Sequence, residues 1–272
     1  MKKILFIIPE LSHGGTNKSL EFLIPHLSNI CEISIVSLKK NGIYKEIFNS
    51  YNLNFVSDTF IRFKNSFIYR VLNRFFYPIA NIILNCILDR EAKRINKTIN
   101  PDIVIAYQEG HATLLASKFE QDKTAWIHCD YKLYNECVTS KDEYCIYRNF
   151  DNIICVSKYT AKSFVKFYPQ LSQRVGYMYN VLDDKKIKDL SLKNDIDERF
   201  VIPKDSFVCV SVGRYVDVKQ FDRIPYIVSQ IVSKRTSKQI LWYIIGDGDE
   251  KIIRFTNEEI AKYGLFNNVI LL

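Results

Sequence analysis

An arginine and a lysine five positions apart, Arg214 and Lys219, follow Gly213 at the end of the apolar run Phe207-Val208-Cys209-Val210-Ser211-Val212. A strand that ends in glycine and then presents two cations suits an anionic ligand. Glycine lets the chain turn sharply and lets a ligand come close. Arginine grips phosphate oxygens with two parallel hydrogen bonds, and lysine adds a mobile point charge. A helix expected from about Asp217 would aim its N-terminal dipole at the same place.

Four further features precede or follow this one in the chain. Gly14-Gly15 lies in the polar loop Glu10–Asn17, between an apolar run and a helical pattern. In doubly wound folds that loop binds phosphate or sugar groups through backbone N–H. Trp126-Ile127-His128-Cys129-Asp130 closes another apolar run. A histidine at the carboxyl end of a strand can carry a proton or hydrogen-bond a substrate. Ile154-Cys155-Val156-Ser157-Lys158 reads as a strand, a helix cap and the helix itself. Ile244-Ile245-Gly246-Asp247-Gly248-Asp249-Glu250 reads as a strand entering a turn before a helix. There Gly246 and Gly248 would admit a nucleotide to the backbone, and Asp249 and Glu250 suit a first helical turn.

The elements that must position these residues alternate between strand and helix. Strands are expected at Ile4–Ile8, Glu32–Leu38, Phe55–Val56, Asp102–Tyr107, Ala125–His128 and Asn152–Val156. Helices are expected through Leu20, Phe22, Leu23 and Leu27, then at His111–Phe119 and Lys158–Phe167. Continuous apolar runs such as Ile4–Ile8 are strands buried on both faces of a parallel sheet. After a charged stretch, Asp183–Arg199, strands at Phe207–Val212, Ile240–Ile245 and Val269–Leu272 alternate with helices at Phe221–Val232 and Glu250–Tyr263. The pattern is α/β, with two doubly wound Rossmann-like domains, the second incomplete. The domains are residues 1–180 and 206–272, joined by 181–205. An incomplete second domain would expose apolar surface and an unpaired strand edge.

Composition narrows the class. The 272 residues are 47% hydrophobic and 25% charged, with a formal charge of +8, ordinary for a globular chain. The charge is uneven: residues 1–180 hold 23 Lys/Arg and 16 Asp/Glu, a net of +7. No nucleic-acid recognition motif accompanies this charge, and no G-x-G-x-x-G follows the first strand, which disfavours a nucleic-acid binder and a dehydrogenase. The seven cysteines include no C-x-x-C pair and read as buried free thiols; His128, Cys129 and Cys137 match no zinc spacing. The apolar stretch after Met1-Lys2-Lys3 is too short for a signal peptide. Phe60–Leu88 interleaves seven aromatic residues with Arg62, Lys64, Arg70 and Arg74, a composition that suits a membrane interface.

Taken in order, Gly14-Gly15, the Trp-Ile-His-x-Asp run, Gly213-Arg214…Lys219 and the Gly246–Glu250 turn resemble the family 4 retaining glycosyltransferases, and the resemblance runs the length of the chain. It implies a GT-B fold. It implies that Gly14 and Gly15 meet the donor phosphate and the acceptor, and that His128 lies near the donor sugar. Gly213, Arg214 and Lys219 would hold the diphosphate of a nucleotide-sugar, and Gly246, Gly248 and Glu250 would form part of the nucleotide pocket. No metal or other cofactor is implied. The acceptor would be a glycan or lipid-linked, in surface polysaccharide synthesis such as capsule or lipopolysaccharide, with the protein cytoplasmic and peripheral at the inner face of the cell membrane. Two departures are Thr16-Asn17, where many members have Ala-Glu, and Gln220, where many have Gly. The family's paired glutamates, eight apart, would fall beyond Leu272. The 272 residues alone are therefore expected to turn over poorly, and a catalytically inactive remnant that binds ligands is the alternative.

Overall fold

The run Lys2–Ile8 forms β1, and its side chains alternate between two cores. Ile4, Phe6 and Ile8 pack on one side, Leu5 and Ile7 on the other. That alternation is why every position of the run is apolar. The computed structural model describes residues 1–136, 143–193, 200, 202–234 and 238–272, with Lys64 described only in its backbone. Cys137 and part of the stretch 181–205 lie outside the described residues.

The chain divides into two compact units, Met1–Lys185 and Lys186–Leu272. In the first, β1 is followed by α1 (Gly15–Ser28), β2 (Cys31–Ser37), α2 (Tyr44–Asn49), β3 (Leu53–Phe55), α3 (Asp58–Asn65), α4 (Phe67–Phe75) and α5 (Tyr77–Ile99). Then come β4 (Ile103–Ala106), α6 (His111–Ala116), β5 (Asp122–Ile127), α7 (Tyr131–Tyr134), α8 (Tyr144–Tyr147), β6 (Asn152–Cys155), α9 (Lys158–Phe167) and β7 (Val175–Tyr177). The seven strands are parallel, in the order β3-β2-β1-β4-β5-β6-β7. Helices α1 and α2 cover one face through Leu20, Leu23, Ile24, Tyr44 and Phe48. Helices α5, α6 and α9 cover the other through Leu88, Ile95, Leu115 and Phe164. The order reverses between β1 and β4, which makes the carboxyl ends of those strands the crevice of a doubly wound sheet.

A helix, α10 (Asp184–Ser191), occupies part of the charged stretch; none of its residues is buried. The second unit has β8 (Ser206–Val212), α11 (Ile224–Val232), β9 (Gln239–Ile245), α12 (Glu250–Lys262) and β10 (Val269–Leu271). Its three strands are parallel in the order β10-β9-β8. Strand β8 is an edge, with Phe207, Val210 and Val212 exposed.

Two expectations need correction. The helix expected from Asp217 begins at Ile224; Asp217–Lys219 and Phe221–Arg223 are separate 3-10 turns. Gln220 between them adopts φ 52°, a left-handed conformation that breaks the helix. The loop that bears Arg214 therefore does not run directly into an α-helix of its own. Finally, of the six described cysteines only Cys155 is buried, and Cys86 and Cys145 are exposed.

Candidate functional site

Three loops meet the carboxyl edge of the first unit's sheet at β1, β4 and β5. The loop after β1 ends at Gly14, the N-cap of α1, whose backbone is extended at φ 170°. No side chain caps α1 and no acidic residue occupies its first turn, so the positive end of a 14-residue helix is left open. A Cβ on Gly14 or Gly15 would meet nothing within 4 Å among the described residues. The loop is braced from inside by Asn17, whose buried side-chain amide donates to the carbonyls of Glu10 (3.0 Å) and Ser12 (2.8 Å). The asparagine thus fastens the glycine loop.

Residue parity on β4 and β5 sends Tyr107, Trp126 and His128 toward the α1 face. The buried Tyr107 hydroxyl lies 2.9 Å from Ser19 Oγ on α1. Its ring meets Phe6 edge-on at 5.7 Å and His128 at 4.8 Å. A continuous line of contact thus joins α1 to His128. Burial raises the Tyr107 phenol to about 12 and lowers the His128 imidazole to about 4. The imidazole is therefore neutral at pH 7, and its buried Nε2 has no hydrogen-bond partner among the described residues. A neutral ring can accept or donate one hydrogen bond but carries no charge to stabilise a leaving group.

Glu109 organises the loop that bears His128. Its buried carboxylate accepts from His128 N (2.6 Å), Cys129 N (2.9 Å) and the Cys129 thiol (3.1 Å). Burial, then Glu109, push the Cys129 thiol well above its ordinary range, so it stays a protonated donor to Glu109. Asp130 is drawn below the ordinary carboxylate range, chiefly by the Ser163 hydroxyl at 2.7 Å, and caps α7 through Lys132 N. Ser157 caps α9, accepting from Thr160 N at 3.0 Å, as its position after a strand predicts. Among the described residues no group of three or more His, Cys, Asp or Glu is placed to hold a metal ion.

The second unit has its own cluster, at the carboxyl ends of β8 and β9. Gly213 N donates to Ile245 O (3.0 Å), Tyr215 N to Asp247 O (3.0 Å) and Asp249 N to Tyr215 O (2.9 Å). The two loops therefore lie backbone to backbone. Gly246, at φ 150°, would drive a Cβ into the carbonyl of Gly213, and a Cβ on Gly248 would fall on the Tyr215 backbone. A reason for glycine at 246 and 248 thus lies within the chain: the neighbouring loop fills the space where a Cβ would stand. Phe221 stacks edge-on against Tyr215 at 5.2 Å and approaches Gly213, with the Lys219 stem beside it. Lys219 and Arg214 are exposed. Neither side chain makes an ion pair or hydrogen bond among the described residues. Asp249 caps α12 by accepting from Lys251 N at 2.8 Å, and Glu250 is exposed in its first turn.

The sequence-picked residues fall into two groups. Gly14, Gly15 and His128 belong to the first unit; Gly213, Arg214, Lys219, Gly246, Gly248 and Glu250 belong to the second. Asn17, Tyr107 and Glu109 were missed. Glu109-Gly110 directly after an apolar strand was the available signal, because an acidic residue at a strand's carboxyl end has loop N–H groups within reach.

No family model matches the chain, and no curated protein sequence does. Solved structures do resemble it in fold. HepE of Anabaena, in complex with UDP and glucose, superposes with a TM-score of 0.67 at 13% identity, over 100% of this chain and 69% of that one. A glycosyltransferase from Rickettsia africae gives 0.60 at 15%, over 100% and 68%. A UDP-N-acetylglucosamine 2-epimerase from Rickettsia bellii gives 0.59 at 10%, over 100% and 68%. With its parallel seven-stranded sheet and second Rossmann-like unit, the chain has a GT-B-like α/β fold.

Proposed function

We infer that the chain belongs to a glycosyltransferase that moves a sugar from a nucleotide-sugar to a glycan or lipid-linked acceptor, of the retaining, family 4 type. The observation that carries this reading is the pair Arg214 and Lys219: two exposed cations on the loop after β8, without ion-pair partners among the described residues. Departure of a nucleoside diphosphate concentrates negative charge on its phosphates. Cations fixed in place stabilise that charge without having to reorganise. In this reading Arg214 takes phosphate oxygens in a fork and Lys219 neutralises the departing oxygen. The open N-terminus of α1 at Gly14-Gly15 supplies N–H donors to anionic or hydroxyl groups. His128, kept neutral by burial, offers one hydrogen bond to a sugar hydroxyl. Gly213, Gly246 and Gly248 set the turn that bears the cations, and Glu250 lies on the same rim. No protein nucleophile and no metal are assigned. Surface polysaccharide synthesis at the inner membrane face is the setting proposed for this chemistry.

The test is calorimetric binding of UDP-, GDP- and ADP-sugars to the 272-residue chain and to Arg214→Ala and Lys219→Ala. Hydrogen bonds to charged groups are worth about 1.5–3 kcal/mol, so each variant should bind its donor about tenfold or more weakly. Both side chains are exposed, so circular dichroism should be unchanged. Failure of every nucleotide-sugar to bind, or equal binding by both variants, would sink the reading. Binding without sugar transfer would favour the inactive, ligand-binding alternative.

A further inference from the structure

Helix α4 has no buried residue, although it is rich in large apolar side chains. Phe67 is 72% exposed, Ile68 66% and Phe75 68%, and Phe76, Ile79 and Ile82 continue the exposed apolar surface onto the start of α5. At about 100° per residue, Phe67, Ile68 and Phe75 share one arc of α4, and Arg70 and Arg74 run along its border. Both guanidinium groups sit over that arc's own rings, Arg70 at 6.0 Å from the Phe67 centroid and Arg74 at 5.6 Å from Phe75. Neither makes an ion pair among the described residues.

The opposite side of α4 is anchored. Tyr69 packs against the core of the first unit and meets Phe63 edge-on at 5.1 Å; Ser66 caps the helix by accepting from Tyr69 N at 3.0 Å. Helix α5 turns Ala80, Leu84 and Leu88 inward. The apolar arc is therefore held outward by a packed base.

We propose that α4 and the first turns of α5 dock on an anionic lipid surface, with Phe67, Ile68, Phe75 and Ile82 entering the headgroup region and Arg70 and Arg74 lying among the phosphates. Charge complementarity singles out this occupant. From Thr59 to Leu88 the sequence has no acidic residue and four basic ones, a one-signed field suited to an anionic surface. Arginines over aromatic rings beside exposed aliphatic groups suit an interface that is wet on one side and apolar on the other. No helix among the described residues is long and apolar enough to cross a membrane, so the contact would be lateral. The inference deepens the membrane setting proposed above. Its test contains no nucleotide-sugar, so either reading can fail without the other.

The full chain would be sedimented with vesicles of phosphatidylcholine alone and with vesicles that also contain phosphatidylglycerol. Partition onto the anionic vesicles only, and its decline with salt, is expected. Arg70→Ala and Arg74→Ala should each weaken partition about fivefold. The pair Ile68→Ser with Phe75→Ser should weaken it about tenfold or more. Since none of these side chains is buried, circular dichroism should match the wild type. No partition onto anionic vesicles, or partition indifferent to the Ile68/Phe75 pair, overturns the proposal. So does light scattering that shows a dimer split by that pair, because the arc would then face a second copy of the chain. Capture of a soluble protein on the same arc with no lipid partition would also overturn it.

Discussion

Replacing Gly246 with alanine tests whether the loops after β8 and β9 are one unit. The new Cβ would overlap the Gly213 carbonyl, which is backbone and cannot rotate aside. At φ 150° an L side chain is also strained, at about 1–3 kcal/mol. Relieving the overlap means parting the loops, which endangers Gly213 N to Ile245 O, Tyr215 N to Asp247 O and Asp249 N to Tyr215 O. Such bonds are worth about 1 kcal/mol each. A loss of about 4–6 kcal/mol follows if all three part, a large share of the roughly 5–15 kcal/mol that holds a domain. The chain has two tryptophans, Trp126 in the first unit and Trp242 in the second, so each unit carries its own reporter. Trp126 Nε1 has no hydrogen-bond partner among the described residues, so Trp126→Phe loses none there and gives a background in which urea unfolding of the second unit is followed through Trp242. Gly14→Ala, read through Trp126 in a Trp242→Phe background, is the companion for the first unit: nothing among the described residues lies within 4 Å and the backbone is extended, so stability should stay within about 0.5 kcal/mol. A Gly246→Ala midpoint indistinguishable from that of its background would refute the interlocked-loop argument.

Two further outcomes concern the first unit. The His128 imidazole, at about 4 when folded against about 6.5 unfolded, contributes no pH dependence above pH 6.5. As pH falls from 6.5 to 4 the unfolded chain binds the proton first, so stability drops, by up to about 3 kcal/mol, and then levels. His128→Gln should flatten that part of the stability–pH curve; an unchanged slope would show that the group titrates normally. Glu109→Ala strips the acceptor from the His128 and Cys129 N–H groups and should cost about 2–4 kcal/mol. Glu109→Gln keeps a carbonyl oxygen there and should cost clearly less. Equal losses, read by Trp126 fluorescence in a Trp242→Phe background, would argue against that accepting role.

Much of this architecture is legible in the sequence, and for a local reason. A strand covered on both faces needs apolar residues at every position, so Ile4–Ile8 and Ile240–Ile245 announce β1 and β9 without help from the rest of the chain. Ser157 after a strand announces the cap of α9 just as locally. The basic, aromatic stretch from Phe60 stands out by composition alone. Gly213, Arg214 and Lys219 can likewise be picked out because glycine after a strand and clustered cations are properties of a few adjacent residues.

Other features depend on what parallel pairing brings side by side. Glu109 holds the N–H groups of residues 19 and 20 positions away, and that partnership exists only because β4 and β5 are neighbours in register. That Gly246 also makes room for the Gly213 carbonyl emerges only when the loop after β8 is laid against it. The exposure of Phe67, Ile68 and Phe75 is equally hidden, since the same spacing describes a core helix until the packing of α5 shows which face was already used. Sequence patterns record what each residue needs from its local backbone and from solvent. Which distant backbone or side chain supplies it is decided when the strands pair, because register and crossover, not sequence distance, set what comes within bonding range.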